Sequence, residues 1–173
     1  VGLRYIIHWN QVKSSIMEQE KKYSEAELAW LKNQLNPHFL FNTLNNISSL
    51  IQIDPDDAQQ RISQLSELLR YALYETNRSK VQLGDEIIFM NNYIELMSLR
   101  YSSKVHIDSH FFKPDTPIFI PPLLYISLIE NAFKHGVSGA NPSFIKIILD
   151  KDENDLIFTI ENSFYPKNES NRS

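Results

Sequence analysis

Two groups of polar side chains in this sequence of 173 residues have the types and the spacing to do chemistry. In the first, Asn42 follows His38 by four residues, which places both side chains on one face of a helix. A neutral imidazole is a competent base and nucleophile at about pH 7, although no Asp or Glu lies within four residues of His38. A structural role is the alternative, because His38 continues the stripe of Leu31 and Leu35 and could set the register of a helix bundle.

The second group lies in "IENAFKHG" at residues 129–136, where Glu130 and Lys134, and also Asn131 and His135, are four residues apart. A carboxamide such as Asn131 in a mostly apolar helix needs a hydrogen-bonding partner. A metal-bound nucleotide would supply one, with the Asn oxygen on Mg²⁺ and the Lys and His side chains on phosphate oxygens. The alternative is an ordinary solvated helix face.

Composition excludes several other kinds of site. The absence of cysteine excludes disulfides, thiolate metal sites and cysteine nucleophiles. The five histidines show no metal-ligand spacing, which argues against a zinc site. A net charge of −4 argues against nucleic acid as a partner. With 42% hydrophobic and 22% charged residues, the chain has the composition of a soluble globular protein of one or two domains.

Helices are predicted to position the first group. No glycine and a single proline occur between about residues 14 and 53, which predicts a long helix. Pro37 costs about 3 kcal/mol inside a helix, so we expect the helix either to start there or to bend beside His38. A turn with Asp54 or Asp56 as helix cap precedes a second helix at about 57–77. The buried face of that helix is predicted to comprise Ile62, Leu65, Leu68, Leu69, Ala72 and Leu73.

Mixed elements follow, and they are predicted to position the second group. Within residues 81–101 a helix is predicted to begin near Asp85, residues 121–137 are predicted to form a further helix, and residues 104–112 a strand. Residues 143–150 and 156–162 are predicted to form a strand hairpin. The predicted fold class is α+β, with an N-terminal helical hairpin that forms a dimeric four-helix bundle and an incomplete α/β sandwich after it.

Two segments resemble motifs of a known family. "LKNQLNPHFLFNTLNNISSLI" resembles the phosphoacceptor region of sensor histidine kinases of the LytS/YehU type, and "PPLLYISLIENAFKHG" resembles the N box of their GHKL (Bergerat-fold) ATP-binding domain. The motifs occur in the family's order and spacing, and the resemblance covers about residues 25–162. It implies a membrane-proximal linker at 1–24, a dimerisation and phosphoacceptor hairpin at 25–80, and a partial ATP-binding domain at 81–173.

The resemblance also implies residue roles. His38 is the phosphoacceptor, and Asn42 helps to position water for dephosphorylation. Asn131 binds Mg²⁺, and Glu130 orients a metal-bound water. The remaining contacts with the ATP phosphates or the adenosine are implied for Lys134 and His135.

The sequence departs from the family pattern after the last predicted strand. Asn162 stands where the family has an Asp that reads the adenine amino group, and an Asn can still accept that hydrogen bond without a charge. The chain has only four glycines, and none can form a glycine-rich phosphate loop. We therefore expect weak nucleotide affinity. The simplest explanation is a sequence cut before those loops, and the alternative is a natural pseudokinase.

The predicted function is that of the cytoplasmic part of a two-component sensor kinase at the cell inner membrane. It would be a homodimer that uses ATP and Mg²⁺ to phosphorylate His38 and then passes the phosphoryl group to an Asp of a response regulator receiver domain. The opening "VGLRYIIHW" fits either the end of a removed transmembrane helix or an ordinary helix start. The alternatives are a non-catalytic dimeric phosphotransfer or docking module, and a chaperone- or gyrase-like ATPase of the same Bergerat class.

Overall fold

The computed structural model describes residues 17–18, 37–138, 141–153 and 155–165. The chain divides into two compact units, Val1–Leu40 and Phe41–Ser173. Before Pro37 the structure describes only residues 17–18. The predicted linker at 1–24, the predicted helix before Pro37 and the predicted bend at Pro37 therefore lie almost entirely outside the described residues.

Two helices come first along the described chain. Helix α1 spans Pro37–Leu50 and helix α2 spans Pro55–Tyr74. The predicted cap is confirmed as Asp54, whose side chain accepts a hydrogen bond from the Asp57 backbone N–H at 3.0 Å. Pro55 then occupies the first turn, where its missing N–H costs nothing. A short 3₁₀ turn, Glu75–Asn77, closes α2.

Helix α3, Leu83–Ser98, packs against α2 through both apolar and polar contacts. The Tyr71 and Phe89 rings lie 4.9 Å apart between their centroids. Nearer the start of α2, Arg61 donates to Glu95 of α3 at 3.1 Å. The buried residues of α2 are Ala58, Leu65, Leu68 and Ala72. The prediction for Ile62 was wrong, because 48% of its surface is exposed.

A two-stranded sheet, with one strand directly before α3 in sequence and the other after it, was not predicted. Strand β1, Val81–Gln82, pairs antiparallel with strand β3, Phe119–Ile120. Each strand has two residues, which is too short for the apolar alternation that marks a strand in sequence. The pairing continues into α3, since the Leu83 N–H donates to the Ile118 carbonyl at 2.8 Å.

The larger sheet has three strands in the order β2-β4-β5. They are β2 (Val105–Phe111), β4 (Ser143–Asp152) and β5 (Asp155–Asn162). Strands β4 and β5 form the predicted antiparallel hairpin, whereas β2 pairs with β4 in parallel. A parallel pair needs a crossover, and here the crossover contains helix α4, Ile126–Gly136.

Helix α4 packs on β4 and β5 and closes the core of this part of the chain. The inward side chains of β4, Ile145, Ile147 and Leu149, have no exposed surface. The Tyr125 ring, just before α4, stacks on Phe158 of β5 with centroids 4.3 Å apart. The predicted helix start at residue 121 was wrong, because residues 122–125 form a turn in which Leu123 has a φ of 56°.

The mixed α+β class is confirmed, with four helices and two small sheets in the described residues. None of the helices in that part of the chain is both long and apolar enough to cross a membrane. No cluster of His, Asp and Glu suited to a metal ion occurs among the same residues.

Candidate functional site

The candidate site lies on α4, whose sequence divides it into two faces. Ile126, Ile129, Ala132, Phe133 and Gly136 are buried. Their spacing of three and four residues forms the stripe that an amphipathic helix packs against a sheet. The residues between them face outward and carry the polar groups.

Three of the predicted site residues share this outward face. Asn131, Lys134 and His135 are all exposed, and Lys134 and His135 follow Asn131 by three and four residues, which is about one turn of the helix. Asn131 is exposed, so solvent can satisfy its amide, and its place in a mostly apolar helix does not by itself require a partner. The exposed Leu128 lies three residues before Asn131 on α4, and the exposed Leu124 lies in the turn before the helix, so an apolar surface adjoins the polar one.

Glu130 points away from that face and contacts α3. The Tyr93 hydroxyl donates a hydrogen bond to Glu130 Oε1 at 3.3 Å, and Tyr93 is only 2% exposed. Burial raises the pKa of Glu130, and the hydrogen bond from Tyr93 opposes that rise. The structure gives no ion pair or hydrogen bond between Glu130 and Lys134, both of which it describes. Glu130 is therefore paired with a tyrosine rather than with the lysine four residues later.

Asn162 lies at the end of β5 and meets the end of α4. A Cβ atom added to Gly136 would lie 2.6 Å from Asn162 Cβ and 2.9 Å from its Nδ2. The Asn162 Nδ2 donates to the Ser163 carbonyl at 2.8 Å, which leaves the Oδ1 acceptor unused by that bond. The fold thus brings Asn162 next to the helix that carries Asn131, although the two are 31 positions apart in sequence.

Glu86 is a residue that the sequence analysis missed. It is fully buried in α3, where its Oε2 accepts from the Tyr71 hydroxyl of α2 at 2.6 Å and from the Leu123 N–H at 3.1 Å. Burial raises the pKa of Glu86, and both hydrogen bonds oppose the rise. Its Oε1 has no hydrogen-bond partner within the described part of the chain.

A signal for both Glu86 and Tyr93 was present in the sequence. Positions 83, 86, 90, 93 and 97 follow each other at spacings of three and four, and all five are buried. A glutamate and a tyrosine in an otherwise apolar stripe predict buried polar groups that need partners. The partners themselves could not be read from that stripe.

His38 and Asn42 lie on α1. His38 is exposed at the second residue of the helix as described, and Asn42 is half-buried. Exposure gives the His38 imidazole the access to solvent that a phosphoacceptor requires.

Comparison with known proteins finds a family match for the part of the chain that contains the first three helices. The histidine kinase family matches residues 26–105, which include α1, α2 and α3. Helix α4 lies beyond that match, but alignments with individual relatives extend further along the chain.

Three such relatives illustrate the similarity. The sensor protein LytS of Staphylococcus haemolyticus is 31% identical over 146 residues, which cover 84% of this chain and 25% of that protein. The sensor histidine kinase YpdA of Escherichia coli is 37% identical over 138 residues, covering 79% of this chain and 24% of YpdA. The sensor protein kinase HptS of Staphylococcus aureus is 36% identical over 128 residues, covering 73% of this chain and 24% of HptS.

The chain therefore spans about a quarter of the length of the curated relatives it matches. A continuous alignment over 84% of the chain has to include α4, because the helix lies too far from either terminus to be left out.

Proposed function

This chain belongs to the histidine kinase family, of the LytS sensor type, and from that premise we propose that it is the phosphoacceptor and ATP-binding portion of a two-component sensor kinase. In this proposal, α1 and α2 belong to the dimerisation and phosphoacceptor segment. The part from β1 onward belongs to a GHKL-type ATP-binding domain.

The outward face of α4 is the observation that carries the proposal. Asn131, Lys134 and His135 offer one neutral amide oxygen and two nitrogen groups on a single exposed surface. An amide oxygen suits Mg²⁺, and a lysine or a protonated histidine suits phosphate oxygens, so this set fits a metal-bound nucleotide. When bound, Mg²⁺ would neutralise phosphate charge during transfer.

His38 is the proposed acceptor of the γ-phosphoryl group. An imidazole nitrogen would form the new bond to phosphorus, while the bond from phosphorus to the ADP oxygen breaks and the imidazole proton passes to solvent. The phosphoryl group would then move to an Asp carboxylate of a receiver domain: the new bond to the carboxylate oxygen forms, the bond from phosphorus to the imidazole nitrogen breaks, and the imidazole takes up a proton from solvent, which regenerates His38.

We expect few strong contacts with the adenine and the phosphates of ATP, because Asn162 has no charge and the chain has few glycines. Asn162 Oδ1 is proposed to accept from the adenine amino group, without the charge that an Asp would bring. None of the four glycines of this chain lies in a glycine-rich loop, so phosphates would be held by side chains rather than by backbone N–H groups. We therefore expect this chain by itself to bind ATP weakly.

The test uses the full-length kinase and ATP labelled at the γ-phosphate. Wild type should acquire acid-labile phosphate, and His38→Gln should not, because glutamine has no nucleophilic nitrogen. His106→Gln is the matched control, since His106 is also exposed but lies on β2, and it should label like wild type.

Equal labelling of wild type and His38→Gln would overturn the proposed acceptor. Label that reaches His38 only from a phosphorylated receiver domain would indicate a phosphotransfer module instead. Phosphate release that does not depend on His38 would indicate an ATPase.

In the full-length protein we place this part on the cytoplasmic side of a membrane, in a homodimer that signals to a response regulator. The support is the similarity to named sensor kinases over most of the chain.

A further inference from the structure

The contact between Tyr93 and Glu130 joins α3 to the helix that carries the candidate site. Tyr93 is buried, and its hydroxyl donates to Glu130 Oε1 at 3.3 Å. Within the described part of the chain, no other hydrogen bond to the Glu130 side chain is present. Glu130 directly precedes Asn131, whose side chain is on the outward face.

A second contact fixes the same segment two helical turns earlier. Glu86 lies seven residues before Tyr93 on the buried stripe of α3, and it accepts from the Leu123 N–H. Leu123 in turn lies seven residues before Glu130. On α3 these seven residues span about two turns, so α3 holds the other segment at two points, at Leu123 in the turn before α4 and at Glu130 on α4. Two such contacts resist rotation of α4 about its axis, and rotation would redirect both Glu130 and Asn131.

We propose that Tyr93 is a positioning residue for Glu130, whose carboxylate it fixes beside Asn131 by occupying Oε1 and leaving Oε2 to orient a water molecule. This inference rests on the proposed function, because the water matters only if α4 binds a metal-bound nucleotide. Its physical basis is that a buried ring has few accessible rotamers, so its hydroxyl defines one direction for the acceptor.

The protonation states agree with this arrangement. Burial, followed by the charge of Glu130, raises the pKa of Tyr93, and Arg100 opposes that rise, so the hydroxyl remains a donor at neutral pH. The hydrogen bond from Tyr93 lowers the pKa of Glu130 against the effect of burial. Without the Tyr93 hydroxyl, the Glu130 carboxylate would lose the contact that fixes its direction.

The first test measures the orientation of the Glu130 side chain in the chain without nucleotide. Three-bond NMR couplings would report the Glu130 rotamers at one pH in wild type, Tyr93→Phe and Tyr101→Phe. Tyr101 stacks on Phe133 of α4 with centroids 5.9 Å apart, so its variant controls for the loss of a hydroxyl near the same helix. Glu130 should keep one rotamer in wild type and in Tyr101→Phe and should populate several in Tyr93→Phe. Unchanged couplings in Tyr93→Phe would overturn the proposal.

The second test measures His38 phosphorylation in the full-length kinase at saturating ATP. Tyr93→Phe should lower the rate by about tenfold to a hundredfold, as expected for a misplaced group, with little change in ATP affinity. Tyr101→Phe should keep the wild-type rate.

The two tests separate the possible failures. Several Glu130 rotamers in Tyr93→Phe with an unchanged phosphorylation rate would show that the contact only stabilises the fold, and this result would overturn the role in the reaction. Absence of labelling in wild type would overturn the proposed function and with it that role, while the NMR result would still decide whether the hydrogen bond exists.

Discussion

Gly136, the last residue of α4, has room for a hydrogen atom but not for a methyl group. The Cβ of an alanine there would lie 2.6 Å from Asn162 Cβ, which is attached directly to the backbone of β5 and cannot rotate away. The φ angle of Gly136 is not positive, so the restriction comes from this close approach and not from backbone conformation. The close packing of α4 on Asn162 therefore requires glycine at position 136, because any larger side chain would contact Asn162.

Gly136→Ala should consequently displace Asn162 and destabilise the fold. We expect a loss of about 1–3 kcal/mol in the free energy of unfolding, typical of overpacking, measured by urea denaturation. Gly84→Ala is the matched control, because nothing lies within 4 Å of its added Cβ. Gly84 lies in the first turn of α3, where alanine should be neutral or stabilise by up to about 1 kcal/mol. Equal stability of the Gly136→Ala variant and wild type would contradict the close contact.

At the scale of elements, α3 contacts both α2 and the turn that precedes α4. Its Glu86 carboxylate joins Tyr71 of α2 to Leu123, which precedes α4. The left-handed backbone of Leu123 is unusual for a residue with a side chain, and the hydrogen bond from its N–H to Glu86 helps to offset the cost. A shift of α2 would therefore act on the segment before α4 through one buried carboxylate.

Removing that carboxylate should destabilise the junction. In Glu86→Ala, the Tyr71 hydroxyl and the Leu123 N–H lose their acceptor, which should cost about 1–3 kcal/mol of the free energy of unfolding. Tyr74→Phe is the control on the same helix, because Tyr74 is largely exposed and should unfold like wild type. Hydrogen exchange at the Leu123 amide should accelerate in Glu86→Ala by more than the global loss of stability explains. Protection of that amide equal to wild type would argue against the junction.

The raised pKa of Glu86 predicts a pH dependence of stability. The folded state binds the Glu86 proton more tightly than the unfolded state. The stability from that proton is fully present below the ordinary pKa of glutamate and is lost as pH rises through the folded-state pKa. Glutamine cannot ionise, so Glu86→Gln should gain stability relative to wild type as pH rises through that window. Denaturation curves at several pH values would measure this difference, and a difference that does not vary with pH would contradict it.

At the scale of the whole molecule, α1 and the turn after it leave large apolar side chains exposed. Phe41, Leu44 and Ile51 are 69%, 52% and 52% exposed, at spacings that place them along one side of the helix. Ile53, in the turn, is exposed as well. A soluble protein seldom leaves such a line uncovered, which supports the proposal that a second copy of the chain packs there in a four-helix bundle.

The chain should therefore be a homodimer at micromolar concentration, and light scattering should give twice the mass of one copy. Leu44→Glu should shift the mass toward one copy, because it places a charge in the proposed apolar interface. Ile157→Glu is the control, since Ile157 is similarly exposed but lies on β5. A single-copy mass for wild type would contradict the bundle.

The sequence by itself determined what depends on neighbours within about four residues. The Asp54 cap, the buried positions Leu65, Leu68 and Ala72 of α2 and the hairpin of β4 and β5 are of this kind, and each was predicted. The spacing of four residues between Asn131 and His135 likewise predicted that they share one face of a helix. The predicted start of α4 failed because the turn at Leu123 is stabilised by Glu86, a residue 37 positions earlier.

Only the tertiary structure decided which polar groups meet. The contact of Tyr93 with Glu130 also joins residues 37 positions apart. Gly136 contacts Asn162, although β4 and most of β5 lie between them in sequence. The spacing put Glu130 and Lys134 on one side of the helix, one turn apart, whereas the fold pairs Glu130 with the buried Tyr93. The physical reason is that local spacing determines which face of a helix a residue occupies, while the packing of other elements determines what that face contacts.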